Sequence, residues 1–386
     1  MRSARLWRSP DQQPDDALSD VEARDGRIAR IAPAGKAPQA ETASQATFDA
    51  HGMLVTAGWW NCHVHLTDRA WAGARTAPAD RLQAELDDML LSRGFASAVD
   101  LGSRSRDTLA VIDRIASGEL IGPHLQTAGE PLYPPLGLPF YLREALPWYL
   151  WWALPAPLTA VGARRLVRRQ IRHGVHVTKL FTGSLIRPTR VKLMSQAVAS
   201  AAVDECHRLG RLAFTHPSNA EGVRRALDAG IDVLAHPPSR TAHTVELLTD
   251  AAARGTYVIP TLDMFARTAS DDPAFLGPIE NGLRVFRAAG GRVLFGTDVG
   301  YLAERSIAGE MAALARCGMS ANDVLRSLTV EPARLLSPDP SAGSVEVGAP
   351  ADLTVLTTTE ATAAPGAFAD TAAVVVGGRL RETAGR

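Results

Sequence analysis

Cysteine is scarce: Cys62, Cys206 and Cys317 are the three in a chain of 386 residues. An odd, sparse count provides no paired framework and suits a reducing compartment. Neither sign of charge is in excess, since 41 Lys plus Arg balance 41 Asp plus Glu. A net charge of zero gives no reason to expect a nucleic acid or an anionic membrane as partner. The opening MRSARLWRSPDQQPDD lacks the apolar core of a secretory signal, so a soluble cytoplasmic protein is expected. Long hydrophobic runs are also missing, with one exception. Residues 145–163 (ALPWYLWWALPAPLTAVGA) carry no charge and nearly reach the ~20 residues of a membrane-spanning helix. Pro147, Pro155 and Pro157 interrupt that run, and each removes a helix donor, so no transmembrane segment is expected.

What is present is a 46% hydrophobic composition, enough to bury a large core and a smaller one. The middle of the chain alternates short β-rich runs with amphipathic helical stretches. The runs are WWNCHVHL, FASAVDLG, HLQTAG, HVTKLF, RLAFTH, IDVLAHP, TYVIPTL and RVLFGTDVG. Strand-then-helix repetition implies parallel strands, and eight such units predict a (β/α)₈ TIM-type barrel over residues 58–335. An open doubly wound sheet is the alternative, but no glycine-rich dinucleotide loop follows the first strand. Both chain ends are β-rich and helix-poor. The Asp25-Gly26 dipeptide signals a hairpin, and GSVEVGAPADLTVL and TAAVVVGGRLRETAG continue in the same style. Residues 1–57 and 336–386 are therefore expected to build a small composite β-sandwich domain. No internal sequence repeat is visible.

His63 and His65 sit one residue apart in GWWNCHVHLTD. Alternate strand residues share a face, so the two imidazoles project together. Burying them is costly unless something bonds both, and a divalent metal does so. A pair of surface or hydrogen-bonded core histidines is the plain alternative. The other strand ends add weight. RLAFTH ends in His216, IDVLAHP carries His236, RVLFGTDVG carries Asp298 and HVTKLF carries Lys179. Each polar residue follows an apolar run, at the rim where barrel enzymes place their sites. Lys179 is the oddest of these. It either snorkels, pairs with Asp298, or escapes the cost of a buried ammonium. A neutral amine can take up carbon dioxide and become an anionic, two-oxygen carbamate able to bridge two metals.

This constellation resembles the amidohydrolase superfamily, with HxH on strand one, Lys on strand four, His on strands five and six, and Asp on strand eight. The β segments at both ends extend the likeness over nearly the whole chain. The placement of the lysine in VTKLFTG is most similar to the two-metal prolidase-like and imidazolonepropionase-like branches. The resemblance implies that His63, His65 and Asp298 hold one divalent ion and that His216 and His236 hold a second. A carbamylated Lys179 would bridge the two, and a hydroxide between them would be the nucleophile. Asp298 would orient that hydroxide and relay its proton to the leaving group. Zinc is the first expectation, with cobalt, manganese, nickel and iron as alternatives. Many members carry Asp at the position of Asn61, where an amide would raise ligand basicity less. Some bridge their metals through a strand-three glutamate, for which Glu130 is the candidate. Lys179 is preferred because it stands directly at a strand end.

Other conspicuous residues have plainer readings. His176 lies three before Lys179 and faces the other side, and His173 is expected at a helix C-terminus. His51 falls in the predicted β domain, and His124, His207 and His243 are read as surface residues. Arg164, Arg165, Arg168, Arg169 and Arg172 recur at helical spacing and mark a solvated helix face. Cys62 reads as core. Tyr133, Trp148, Trp151 and Trp152, with Glu130, are the candidate substrate contacts, in a segment that follows strand three. A subunit contact in a homo-oligomer, or a patch lying on a membrane surface, would explain the same aromatics. The expected function is hydrolysis of an amide C–N bond in a small substrate with an apolar or aromatic portion. The same site could open a lactone, an ester or a phosphotriester, or support decarboxylation. A mononuclear deaminase and a scaffold without catalysis rank lower, because Lys179 and all six ligand positions are present.

Overall fold

The computed structural model describes residues 1–36, 47–269, 271–360 and 364–383. In chain order the strands are β1 Ala4–Trp7, β2 Leu18–Arg24, β3 Arg27–Pro33, β4 Leu54–Ala57, β5 Trp59–Val64, β6 Phe95–Asp100, β7 His124–Thr127 and β8 Thr178–Leu180. They continue with β9 Gly183–Arg187, β10 Arg190–Leu193, β11 Ala213–Thr215, β12 Val233–Ala235, β13 Tyr257–Ile259, β14 Leu353–Leu356, β15 Thr371–Val376 and β16 Arg379–Glu382.

Both chain ends meet in one sheet of order β16-β15-β14-β4-β1-β2-β3. The Asp25-Gly26 hairpin joins β2 to β3 with φ values of 49° and 74°. Two successive positive φ values give the turn whose twist matches paired strands. The sandwich expected from the sequence takes the form of a single continuous sheet. Strand β4 is the joint between the chain ends, pairing parallel with β1 and antiparallel with β14. A single residue, Gly58, separates β4 from β5. A Cβ there would fall 2.6 Å from Ala96 Cβ and 2.9 Å from Asp352 Cβ, so no larger residue fits between the small sheet and the first parallel strand.

The parallel strands form two sheets, β5-β6-β7 and β13-β12-β11-β8. Short runs of backbone hydrogen bonds link their edges. Leu132 N donates to Lys179 O and Phe181 N to Leu132 O, at 2.8 and 2.9 Å. On the other side Leu294 N donates to Val258 O, and Cys62 N to Phe295 O. The eighth predicted run, RVLFGTDVG, makes only isolated bridges at Val293 and Val299. The positive φ of Asp298 (61°) breaks its extended geometry, and a Cβ on Gly296 would lie 2.9 Å from His63 Cβ. The result is a mixed α/β fold with a curled parallel sheet. One buried cluster takes Cys62, Val99, Ala128, Val177, Phe214, Val233, Ile259 and Leu294 from eight successive segments. Helices such as Ser105–Ala116, Ala160–Arg172 and Gln196–Arg208 cover the outside.

Residues 145–163 divide into the end of the helix Phe140–Ala145, a 3₁₀ turn Trp148–Ala153 and the start of the helix Ala160–Arg172. Among the described residues no helix is long and apolar enough to cross a membrane. The arginine face of Ala160–Arg172 is only partly solvated. Arg168 bonds the buried Glu205 at 2.8 Å and Arg164 pairs with Asp204 at 3.1 Å. His173 caps that helix, its Nδ1 2.7 Å from Arg169 O.

Candidate metal centre

His63 and His65 stand at the end of β5, and their Nε2 atoms approach to 3.2 Å. His65 Nδ1 lies 2.7 Å from the carbonyl of Gly102. That bond holds the proton on Nδ1 and leaves Nε2 as a lone pair facing its neighbour. Two nitrogen lone pairs at this separation repel unless a proton or a cation lies between them.

Asp298 closes the group from the eighth segment. Its backbone N donates to His63 O at 2.9 Å. Its Oδ1 lies 3.0 Å from His65 Nε2 and 3.5 Å from His63 Nε2, and its Oδ2 lies 3.6 Å from His236 Nε2. Oδ1 is buried without an aligned hydrogen-bond donor, and His63 Nδ1 is also buried and unbonded. An orphaned carboxylate oxygen in a dry site costs desolvation energy that only a cation or a donor offsets.

His236 is oriented by Thr261. The Thr261 hydroxyl donates to Pro260 O at 2.8 Å, so its oxygen accepts from His236 Nδ1 at 2.5 Å. His236 Nε2 is thereby left as the free acceptor. His216 lies with its ring 4.9 Å from that of His236 and is stacked on Phe181 at 4.9 Å and 17°. His236, Thr261 and Asp298 all have positive φ (87°, 45° and 61°). Strain in non-glycine residues persists where surrounding structure enforces it, and here three cases meet at one site.

Lys179 is 2% exposed on β8, so it does not snorkel. Burial lowers its pKa to about 7, against the opposing pull of Asp298. Its Nζ sits 6.0 Å from the Phe181 ring centroid. Lysine occurs in the chain only at 36, 179 and 192. A chain that uses arginine for nearly all its cations keeps at this buried position a lysine, the cationic side chain that can shed its proton.

Burial, followed by the nearby Lys179 charge, holds His63 well below its ordinary pKa and His216 down to about 3. Burial followed by the His216 and Lys179 charges does the same for His236. Burial also works to lower His65, but the neighbouring Asp298 carboxylate outweighs it and the net direction is upward. Three imidazoles held neutral, an unsatisfied carboxylate oxygen and a deprotonatable amine are a donor set that fits divalent cations. The coordinating atoms of His63, His236 and Asp298 all lie within 4.8 Å of one another.

Other expected site residues are not part of this cluster. The Glu130 carboxylate accepts from the N and Oγ of Ser105 at 3.1 and 3.2 Å, at the start of the helix Ser105–Ala116. Asn61 does not touch the His63 imidazole. Its Nδ2 donates to Thr297 Oγ1 at 2.8 Å, and its Oδ1 accepts from Thr297 N and His63 N at 3.2 and 3.3 Å. Asn61 therefore ties the first strand to the eighth segment rather than tuning a ligand's basicity. Tyr133 is buried against Phe181, with ring centroids 4.8 Å apart. Trp151 is half-buried and donates from Nε1 to Leu146 O at 3.0 Å, while Trp148 is 69% exposed. The Trp152 side chain lies outside the described residues.

Three contributors were not anticipated. Asp100, at the end of β6, accepts from Ser103 Oγ at 2.5 Å and Thr127 Oγ1 at 2.6 Å, and it holds the backbone N of Gly102 at 3.4 Å. It thus anchors the carbonyl that orients His65, and FASAVDLG shows it as a charge closing an apolar run. Thr261 gives no such signal, because threonine is ordinary in a β-rich stretch. Tyr301 sits beside Asp298, donating its N to Asp298 O at 3.2 Å, and meets Tyr141 edge-on at 5.3 Å. Replacing Thr261 with Val keeps the shape but removes the acceptor for His236. Metal affinity is expected to fall about 10- to 100-fold, read by titration of the metal-depleted protein.

The amidohydrolase family model matches residues 54–381. An uncharacterized protein of Mycobacterium tuberculosis is 31% identical over 147 residues, covering 34% of this chain and 39% of that relative's length. Among solved structures, an amidohydrolase aligns at TM-score 0.79 and 22% identity over 99% of this chain and 98% of the other. A Xaa-Pro dipeptidase with bound methionine aligns at 0.80 and 20% over 98% of each chain. Ochratoxinase of A. niger aligns at 0.77 and 19% over 99% and 95%. These structural likenesses carry the fold, and the family match spans most of the sequence. The chain belongs to the amidohydrolase family.

Proposed function

We propose that this protein is a metal-dependent hydrolase that cleaves an amide C–N bond in a small substrate with an apolar or aromatic portion. The observation that carries the reading is the convergence of His63, His236 and Asp298 within 4.8 Å around a carboxylate oxygen that has no donor. In this reading the curled parallel sheet is a closed (β/α)₈ barrel over residues 58–335, with 1–57 and 336–386 as the companion β domain. His63, His65 and Asp298 would hold one divalent ion, and His216 and His236 a second. Lys179 would bridge them as a carbamate, its neutral amine adding to CO₂ with release of one proton. Zinc suits the imidazole and carboxylate donors.

When bound, divalent ions lower the pKa of water toward neutrality and polarise a carbonyl. The chain's own residues supply the rest. An Asp298 carboxylate oxygen accepts the proton of the attacking water and returns it to the departing nitrogen. Gly102 O and Thr261 Oγ1 hold His65 and His236 in the tautomers that present Nε2. Tyr133 and Phe181, with the half-buried Leu142, Trp151 and Leu154, form an apolar cluster against the His216 side. That cluster supports an apolar acyl or aryl group as the recognised part.

The test is a parallel screen of metal-loaded protein against N-acyl amino acids, dipeptides, aryl amides, lactones and phosphotriesters. Amide turnover is expected to dominate, to fall at least about 100-fold on chelation and to return with Zn²⁺, Co²⁺ or Mn²⁺. Lys179→Ala should lower the metal content measured by elemental analysis. Activity that survives complete chelation, or a Lys179→Ala variant with full metal and full activity, would remove the reading.

A further inference from the structure

The strand that carries Lys179 leads directly into a hairpin formed by β9 and β10. Its root is tied to the candidate centre. Gly183 N donates to His216 O at 3.3 Å, and Ser218 Oγ donates to Gly183 O at 2.9 Å. At its tip a two-residue turn, Pro188-Thr189, sets Arg187 and Arg190 directly opposite each other. Arg240 reaches the same turn from the loop after His236. Its backbone N bonds Ser218 O at 2.9 Å and its Nη2 donates to Pro188 O. Three arginines therefore flank one turn, and all three residues are exposed.

The chain segments that carry them hold no nearby acid. Residues 180–203 contain no Asp or Glu, nor do residues 233–245. Among the described residues, none of the three arginines forms an ion pair, whereas arginines elsewhere do, such as Arg164, Arg225 and Arg254. Like charges directly opposed across a strand pair are destabilising. A fold that places them there, with a third alongside and no ion-paired acid, leaves a local positive field on the loops that follow β8 and β12.

We infer that the β9–β10 tip, through Arg187, Arg190 and Arg240, captures the oxyanion end of the substrate, a carboxylate or a phosphate. This rests on the hydrolase reading above. Guanidinium forks match either oxyanion. Four residue steps separate Gly183 from Arg187, about 13 Å of strand. The captured anion thus lies well away from the bond to be cut, and the tip acts on encounter and orientation rather than on the reacting atoms. Such steering is strongest at low salt and fades once the screening length falls to a few ångströms.

The experiment uses metal-loaded protein and ligands with no bond to hydrolyse: 6-phenylhexanoate, 6-phenylhexylphosphonate and the neutral 6-phenylhexan-1-ol. Calorimetry compares the wild type with the triple variant R187Q/R190Q/R240Q in dilute buffer and in about 0.5 M NaCl. At low salt the wild type should bind the anions at least about tenfold tighter than the variant, and the difference should vanish at high salt. Equal binding of the alcohol by both proteins shows that the variant is folded. The anion with the larger loss names the oxyanion. Equal anion affinities in the two proteins, or no binding of either anion to the wild type, would overturn the inference. Because no turnover is read, that result is separate from the outcome of the hydrolysis screen.

Discussion

Asp298→Asn is expected to lower kcat about 1000-fold while leaving the fold intact. The amide keeps the shape and one oxygen, but it cannot accept the proton of the attacking water. The geometry makes the outcome informative. Oδ1 stands 3.0 Å from His65 Nε2 and 3.5 Å from His63 Nε2, while Oδ2 faces His236. If the carboxylate served only as a ligand, metal content would fall and excess metal would restore the rate. If it serves also as proton acceptor, elemental analysis will find the metal present while kcat stays low. A variant retaining wild-type kcat would eliminate Asp298 from the proton relay.

Gly300→Ala is expected to destabilise the protein by about 3 kcal/mol or more, the upper range for backbone strain combined with a steric clash. Gly300 has φ +94°, and a Cβ built on it would lie 1.8 Å from the carbonyl oxygen of His65 and 2.8 Å from its carbon. Neither atom is the end of a flexible side chain, so the backbone carrying a candidate ligand must move. Gly290 provides the control. Its φ is +83° and nothing lies within 4 Å of its missing Cβ. Gly290→Ala should cost only the conformational part, about 1 kcal/mol. Urea unfolding of the two variants checks the difference, and equal midpoints would show that the close approach to His65 carries no energetic weight.

Much of the site was legible because it obeys one pattern. An apolar, β-prone run ends in a polar residue that has no reason to be buried, as at His65, Lys179, His216 and His236. Alternation on β5 placed His63 and His65 together. The eighth run read as a strand from its composition, yet it makes only isolated bridges, with Asp298 left-handed and Gly296 pressed against His63. That geometry is set by what the backbone must avoid near His63, which sequence periodicity does not record. Asn61 and Glu130 show what chain position alone leaves out. Each occupies the right place in the chain, but their side chains turn to backbone and hydroxyl groups, Thr297 for one and Ser105 for the other. Thr261 went unseen because a hydroxyl that orients an imidazole looks like any strand threonine. The aromatic residues after strand three follow no period, so their separate fates, from buried Tyr133 to exposed Trp148, were not readable.

The joint at Gly58 has a consequence for how the protein is made. Strand β4 runs into β5 through that single residue, and β4 takes one of its two neighbours from β14, nearly 300 positions later. During synthesis at roughly 5–20 residues per second, the ribosome exposes β4 for some 15–60 s before its partner emerges. The edge on which the histidine-bearing strand is founded therefore waits, unpaired, through most of translation. Nascent chains arrested before Leu353 should resist neither proteolysis nor metal loss, and competence should arrive late and all at once when the C-terminal strands dock.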